Sequence, residues 1–366
     1  MELAKMVMDS GVESLAIVGT AKNVGKTVTM NYLASRLSQE GMTIGLISSG
    51  RDGEMVDSLT GEPKPSVTPP EGAWVATAEG ALEASGECLE IVDVSERPGL
   101  LGRLVLGRVV VSSPIELVGP QSAGELAAVV RKILALGADI VLVDGALDRL
   151  AAASPRVTHG AILATGASSQ DNLTSIGQDI RRIAWLWSRP LPDCSDVRIL
   201  AEQAISTGFV SFLDRKCFPS KGSHSDRASA YTLRQTPYRT CLGRQDVILS
   251  QTNGATAVVV PGAITDTFLH GASVWAERNG FAVIVRDPTR VFMAHVPSAD
   301  ILVLEQINLL AATVNPVSYG SGSYDPSQII KVVSEGIQRG SDKWVPVFDV
   351  VTGESNREEV AGVALG

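Results

Sequence analysis

One short stretch near the start of the sequence combines glycine, lysine and threonine at a spacing suited to phosphate binding. It runs from Gly19 to Thr27 and reads GTAKNVGKT, and we call it the glycine–lysine loop. Gly19 and Gly25 let the backbone turn its N–H groups toward an anion without a Cβ atom in the way. Lys26 would contact the terminal phosphates, and Thr27 would bind a magnesium ion. The loop therefore predicts a site for a nucleoside triphosphate with Mg²⁺.

The segments on either side of the glycine–lysine loop fit this interpretation. Leu15 to Val18 form the short apolar run of a buried strand, and Val28 to Leu37 repeat apolar residues at helical spacing. A helix that begins directly after the loop directs its positive end toward the same anion. The spacing is unusual, because five residues rather than four separate the two glycines, so the strict phosphate-loop pattern would begin at Thr20. The residues expected to contact the nucleotide are Gly19, Thr20, Ala21, Lys22, Asn23, Val24, Gly25, Lys26, Thr27 and Thr29.

A second candidate for chemistry is an acidic residue at the end of a buried strand. Residues 139 to 143 read DIVLV and are followed directly by Asp144 and Gly145. An acidic residue at this point, downstream of a phosphate loop, typically organises Mg²⁺ or its water shell. We therefore expect Lys26 and Asp144 to be the catalytic residues. The structural alternative is an ordinary Asp-Gly turn.

The second predicted strand covers residues 42 to 48, and the loop after it contains two more acidic residues that are candidates for metal binding. Residues 48 to 72 concentrate charged side chains at a strand carboxyl end, which is where an open parallel sheet binds ligands. Asp52 and Glu54 would bind the metal there. The predicted metal-binding residues are therefore Thr27, Asp52, Glu54 and Asp144. The open alternative is a solvated loop whose proline and glycine residues mark turns.

Composition excludes several classes of protein. The chain has 366 residues, of which 45% are hydrophobic and only 5% aromatic, as in a well-buried α/β protein. No apolar stretch reaches the length of a membrane span, and the first residues lack a signal-peptide core. A net charge of −9 argues against direct nucleic-acid binding. The four cysteines form no C-x-x-C pair, which predicts a reducing cytoplasm and no structural zinc.

The order of predicted elements indicates the fold. Strands alternate with helices, which predicts a doubly wound, mostly parallel α/β sheet with the strand before the glycine–lysine loop at its centre. Ser122, with Glu125 three residues later, predicts the capped start of a helix that ends before Gly137. The predicted domains are a nucleotide-binding unit at residues 1–195 and a second α/β unit at residues 196–366, which could continue the same sheet.

The glycine–lysine loop resembles the GT-x-x-x-VGKT loop of dethiobiotin synthetase and cobyric acid synthase, members of the MinD-like branch of P-loop proteins. The Asp144-Gly145 pair is similar to the acidic-Gly motif of that branch, and the resemblance covers roughly residues 12 to 190. It implies a P-loop fold that binds and hydrolyses ATP with Mg²⁺. The sequence lacks a Thr/Asn-Lys-x-Asp guanine motif after a strand, which also favours adenine. The oligomeric state stays open, and a dimer is compatible with the branch.

Longer features resemble more narrowly the P-loop subunit of the lysine 5,6-aminomutase reactivase. They are RDGE with KP at residues 51 to 65, VDGALDR with ASP at residues 143 to 155, and ILATGAS at residues 162 to 168. In that family the reactivase works with a MutS-like ATPase subunit and restores a B12-dependent aminomutase whose cobalamin has been inactivated. The resemblance implies that this chain couples ATP hydrolysis to release or exchange of inactivated cobalamin.

The sequence also departs from the wider branch. Ala21 stands at the position of the branch's signature lysine, and Lys22 lies one place later. In dethiobiotin synthetase a Lys-Pro pair directly ends the second strand, whereas the pair at residues 64–65 lies well beyond it. Two rival functions stay open. One is a dethiobiotin-synthetase-like ligase that consumes ATP only with a small substrate, and the other is a nucleotide-sensing scaffold that binds but scarcely hydrolyses.

An asparagine late in the chain is the last candidate for nucleotide binding. Asn315 ends a predicted strand and precedes Pro316, and it resembles the asparagine that reads the adenine base in dethiobiotin synthetase. An amide side chain offers a donor and an acceptor at once, which matches the edge of a purine. The structural alternative is that Asn-Pro simply begins a turn.

Overall fold

The computed structural model describes residues 2–52, 66–82, 86–99, 101–145, 150–167, 172–215, 230–279, 281–318 and 322–356. The chain divides into two compact units, of which the first comprises Met1–Arg181 with Ile307–Gly366 and the second comprises Arg182–Gln306. None of the helices in the described ranges is long and apolar enough to cross a lipid bilayer.

The helices and strands of the described residues are numbered in chain order. The helices are α1 (Leu3–Ser10), α2 (Lys26–Gln39), α3 (Ala123–Ala135), α4 (Leu173–Trp187), α5 (Ser195–Thr207), α6 (Gln245–Leu249), α7 (Asp266–Asn279) and α8 (Pro326–Gly340). The strands are β1 (Ser14–Gly19), β2 (Ile44–Ser49), β3 (Arg51–Asp52), β4 (Trp74–Ala78), β5 (Leu89–Gly99), β6 (Gly102–Val109), β7 (Leu117–Val118), β8 (Ile140–Gly145), β9 (Gly160–Gly166), β10 (Ser211–Arg215), β11 (Tyr231–Gln235), β12 (Ala255–Val260), β13 (Ile264–Thr265), β14 (Ala282–Val285), β15 (Val291–Phe292), β16 (Asp300–Val303), β17 (Leu309–Asn315), β18 (Val317–Ser318), β19 (Gly322–Ser323) and β20 (Val347–Phe348).

A large sheet organises the first unit. Its strand order among the described residues is β20-β17-β9-β1-β8-β2-β4-β6-β5. The strands from β20 to β4 are parallel, and β6 and β5 add an antiparallel hairpin at one edge. Strand β1 is the middle one of the parallel strands, so the mostly parallel α/β sheet and the central position of β1 are confirmed. Burial on both faces explains why the parallel strands are almost continuously apolar.

Helices cover both faces of this sheet, as the alternation of side chains along β2 shows. Ile44 and Leu46 belong to one buried cluster with Met30 of α2. Gly45 lies between them and therefore faces the other side, where a Cβ atom added to it would come within 2.5 Å of the Ile133 side chain of α3. Helices α2 and α3 thus pack on opposite faces, and Gly45 provides the space that lets α3 approach closely.

This close approach gives a testable consequence for stability. Gly45→Ala is expected to destabilise the protein by about 1–3 kcal/mol, because the added methyl group must displace tightly packed side chains. Gly124→Ala is the matched control, since Gly124 lies near the start of α3 with no atom within 4 Å of an added Cβ. Urea unfolding measures both variants. An unchanged unfolding midpoint for Gly45→Ala would contradict this packing.

The second unit has a sheet of its own. Its strand order is β11-β10-β12-β14-β16 among the described residues, with β12, β14 and β16 parallel and β10 antiparallel to both of its neighbours. Buried residues of α5, including Ala201 and Ala204, pack on this sheet against Leu213 and Val259. The unit therefore has an independent hydrophobic core.

The observed division differs from the predicted boundary at residue 195. The chain leaves the first unit within α4, and it re-enters that unit at Ile307. Strands β17 and β20 then join the first sheet beside β9, so this part of the predicted second unit does continue the first sheet. The sequence could not place the boundary, because an apolar parallel strand carries no local signal of which sheet it joins.

Candidate functional site

The glycine–lysine loop connects β1 to α2 by a backbone with two left-handed residues. Strand β1 ends at Gly19 and helix α2 begins at Lys26. Gly25 has a φ of 92°, which glycine adopts without strain. Asn23 has a φ of 60°, in the left-handed region that residues other than glycine seldom adopt. Such turns direct successive N–H groups toward one side of a loop and create a concave surface for an anion.

The Lys26 side chain folds back over the first residue of the loop. A Cβ atom added to Gly19 would lie 3.0 Å from both Cγ and Cδ of Lys26, and 3.0 Å from Cγ2 of Val24. The lysine stem therefore occupies the space that a side chain at position 19 would fill. Gly19 is needed here for close packing and not for a left-handed φ.

Backbone donors of the loop are available to a ligand. Within the described part of the chain, no acceptor takes the N–H groups of Val24, Gly25 or Thr27, whereas Thr29 donates its N–H to the Gly25 carbonyl at 2.9 Å. The first N–H groups of a helix have no partner in the helix itself, and they carry its positive end. Together with Lys26, these donors fit an anion such as a phosphate.

Threonines on neighbouring strands hold the loop and the first turn of α2. Thr20 donates its hydroxyl to Thr165 of β9 at 3.0 Å and its N–H to the Ala164 carbonyl at 3.0 Å. Thr29 shares a buried hydroxyl–hydroxyl bond of 2.9 Å with Thr313 of β17. These contacts of the β9 and β17 threonines are not predictable from the sequence, which shows only a threonine near the carboxyl end of each apolar strand.

Asn315 lies beside the loop although it is far away in the sequence. Its Nδ2 donates to the carbonyl of Asn23 at 3.2 Å, and its Oδ1 accepts the N–H of Val317 at 3.2 Å. A Cβ atom added to Gly25 would lie 3.1 Å from Cβ of Asn315. The structure thus brings Asn315 to the predicted site, where its amide contacts the protein backbone.

Asp144 lies near the end of β8, directly beside the strand that precedes the loop. Its register partner on β1 is Ile17, and its side chain is buried, with 2% exposed. Leu142 is in one buried cluster with Met30 of α2, and Asp144, two residues later, faces the same side of the sheet. The hydroxyl of Ser48 on β2 donates to the backbone carbonyl of Asp144 at 3.5 Å. Lys26, Thr27 and Asp144 therefore belong to neighbouring elements on the α2 face.

The other two predicted metal residues lie at or beyond the edge of the described part of the chain. Glu54 lies outside the described residues, and so does the side chain of Asp52. The Asp52 backbone pairs with Leu117 beyond the end of β2, and β8 separates β2 from β1. Among the described residues, no cluster of three or more His, Cys, Asp or Glu side chains could hold a metal ion. Of the predicted metal-binding residues, the described side chains near the loop are those of Thr27 and Asp144.

The loop, Lys26 and the buried Asp144 thus lie at the carboxyl end of neighbouring parallel strands, β1 and β8. The chain matches no protein-family model and no curated protein. Function is therefore inferred from the geometry of this site and from the motifs in the sequence.

Proposed function

We propose that this protein is a P-loop nucleotide hydrolase that binds ATP with Mg²⁺ at the glycine–lysine loop. The observation that carries the proposal is the position of Lys26. This residue begins α2, and the stem of its side chain packs on Gly19. A lysine in this position, together with the N–H groups of Val24, Gly25 and Thr27 at the start of α2, suits a chain of phosphates.

The residues of the site have separate roles in this proposal. The N–H groups of the loop and the Lys26 ammonium bind the phosphates, and the Thr27 hydroxyl and Asp144 hold Mg²⁺ or its water shell. Mg²⁺, when bound, would neutralise charge that develops on the phosphates. In hydrolysis, water adds to the terminal phosphorus, and the bond to the bridging oxygen breaks to give ADP and phosphate. The protein contributes position and charge, which supply most of the catalysis in this class of reaction.

We further propose that hydrolysis serves reactivation of a B12-dependent aminomutase together with a MutS-like ATPase subunit. The support is the set of motifs at residues 51 to 65, 143 to 155 and 162 to 168. The segment 51 to 65 follows the carboxyl end of β2 in the sequence, and residues 53 to 65 lie outside the described part of the chain. In this proposal, hydrolysis changes the conformation of the segment, and a partner binds the changed form.

Phosphate release by the purified protein tests both the proposed ATP hydrolysis and its proposed role in reactivating an aminomutase. We expect hydrolysis of Mg-ATP that rises when an aminomutase carrying hydroxocobalamin and the partner subunit are added. Turnover that is indifferent to this complex but rises with a small carboxylate or amine substrate would instead identify a ligase. Nucleotide binding without turnover in either mixture would identify a sensor and contradict the hydrolase proposal.

A further inference from the structure

The amide of Asn315 is already used by the protein. Both of its hydrogen-bonding atoms contact the backbone, since Nδ2 donates to the Asn23 carbonyl and Oδ1 accepts the Val317 N–H. An amide has two N–H donors and an oxygen with two lone pairs, so base reading would have to use the second hydrogen of Nδ2 and the second lone pair of Oδ1. The two observed contacts join Asn315 to the protein backbone, and they give the amide a role that does not involve a base.

The bond to Asn23 fixes the part of the loop with the least favourable backbone conformation. Asn23 has a φ of 60°, in the left-handed region. Its carbonyl and the N–H of Val24 belong to one planar trans peptide group and point in opposite directions. Holding the carbonyl toward Asn315 therefore turns the Val24 N–H away from Asn315, and this N–H is one of the donors left available to an anion.

We infer that Asn315 is a positioning residue that holds the glycine–lysine loop in its phosphate-binding conformation before a nucleotide arrives. This inference rests on the proposed nucleotide site, and it concerns how that site is preorganised. Preorganised donors bind more tightly because the loop does not have to be ordered on binding. The strand that supplies Asn315 also supplies Thr313, which bonds to Thr29 in the first turn of α2. Strand β17 thus holds the loop at Asn23 and the first turn of α2 at Thr29.

A probe without a base separates this role from base recognition. Asn315→Leu keeps the size and branching of the side chain and removes both hydrogen bonds without adding charge. We expect its affinities for Mg-ATP, Mg-GTP and Mg-tripolyphosphate, measured by calorimetry, to fall by a similar factor of roughly tenfold. A loss for Mg-ATP alone, with tripolyphosphate binding intact, would overturn the inference and restore Asn315 as a base reader.

Asn308→Leu is the matched control. Asn308 precedes the same strand at its other end, and its Nδ2 also donates to a backbone carbonyl, that of His159 at 3.3 Å. We expect this variant to keep the nucleotide affinities of the unmodified protein. Equal losses in the two variants would show a general effect of disturbing β17 and would contradict a specific role for Asn315.

Hydrogen exchange of the nucleotide-free protein gives a readout that does not depend on nucleotide binding. Asn315→Leu and, as a second variant, Asn315→Ala are expected to speed exchange at residues 23 to 28 while the thermal midpoint stays the same. Unchanged exchange there would overturn the inference. If the unmodified protein bound no nucleotide, the proposed function would fail, while the exchange measurement would still decide whether Asn315 holds the loop.

Discussion

Replacing Lys26 with alanine is expected to reduce ATP hydrolysis by about 100-fold or more, the size of effect seen when a preorganised charge is removed from a reacting centre. The physical reason is that the Lys26 stem packs on Gly19 at the start of the loop, and in the proposed site its ammonium contacts phosphate oxygens. Steady-state phosphate release at saturating Mg-ATP measures the loss. Calorimetry on the same variant separates weakened binding from slowed chemistry.

Two other lysines provide the comparison. Lys22 lies in the same loop but is exposed, so Lys22→Ala is expected to lose less activity than Lys26→Ala. Lys331 is exposed on α8, outside the site, and Lys331→Ala should leave the rate as it is. A protein that keeps full hydrolysis without the Lys26 side chain would refute the assignment of this loop to phosphate binding.

Asp144→Asn is expected to raise the Mg²⁺ concentration needed for hydrolysis and to reduce the maximal rate by about 10-fold to 100-fold. The substitution keeps the shape of this buried side chain and removes its negative charge, which is the property that a cation beside Thr27 requires. Phosphate release measured across a Mg²⁺ titration gives both quantities. Thermal unfolding without nucleotide verifies that the variant is folded.

Asp139→Asn is the control for this change. Asp139 precedes the same strand at the other end, and its carboxylate accepts the Thr43 N–H at 2.7 Å. This bond is far along β8 from the glycine–lysine loop, so the Mg²⁺ dependence of hydrolysis should not move. If Asp144→Asn behaved like Asp139→Asn, the metal would have to be held by other residues.

Local features were predictable from the sequence because each depends on residues that are close together in the chain. The loop appeared where predicted, between a buried strand and a helix that begins at Lys26. Ser122 caps α3 by accepting the Glu125 N–H at 3.2 Å, as the capping pattern predicts. Asp144 was predictable for the same reason, since an apolar strand that ends in an acidic residue delivers it to the carboxyl edge of the sheet.

The surroundings of the loop were not predictable in the same way. Asn315 reaches the loop, and Thr313 reaches the first turn of α2, only because β17 follows the second unit in the chain and joins the sheet beside β9. Strand order in a parallel sheet depends on long-range packing that a sequence pattern does not encode. The resemblance of Asn315 to a base-reading asparagine predicts that it lies near the loop, where its Nδ2 contacts Asn23, while its two backbone contacts could be seen only in the structure.

Nucleotide binding at the glycine–lysine loop can be observed in a structure of the protein with Mg²⁺ and a non-hydrolysable ATP analogue. We expect the phosphates to lie against the N–H groups of Val24, Gly25 and Thr27, with the Lys26 ammonium on the terminal phosphates. We also expect Mg²⁺ between the Thr27 hydroxyl and the side of the site that holds Asp144. A nucleotide bound elsewhere, with this loop empty, would show that the loop is not the phosphate site.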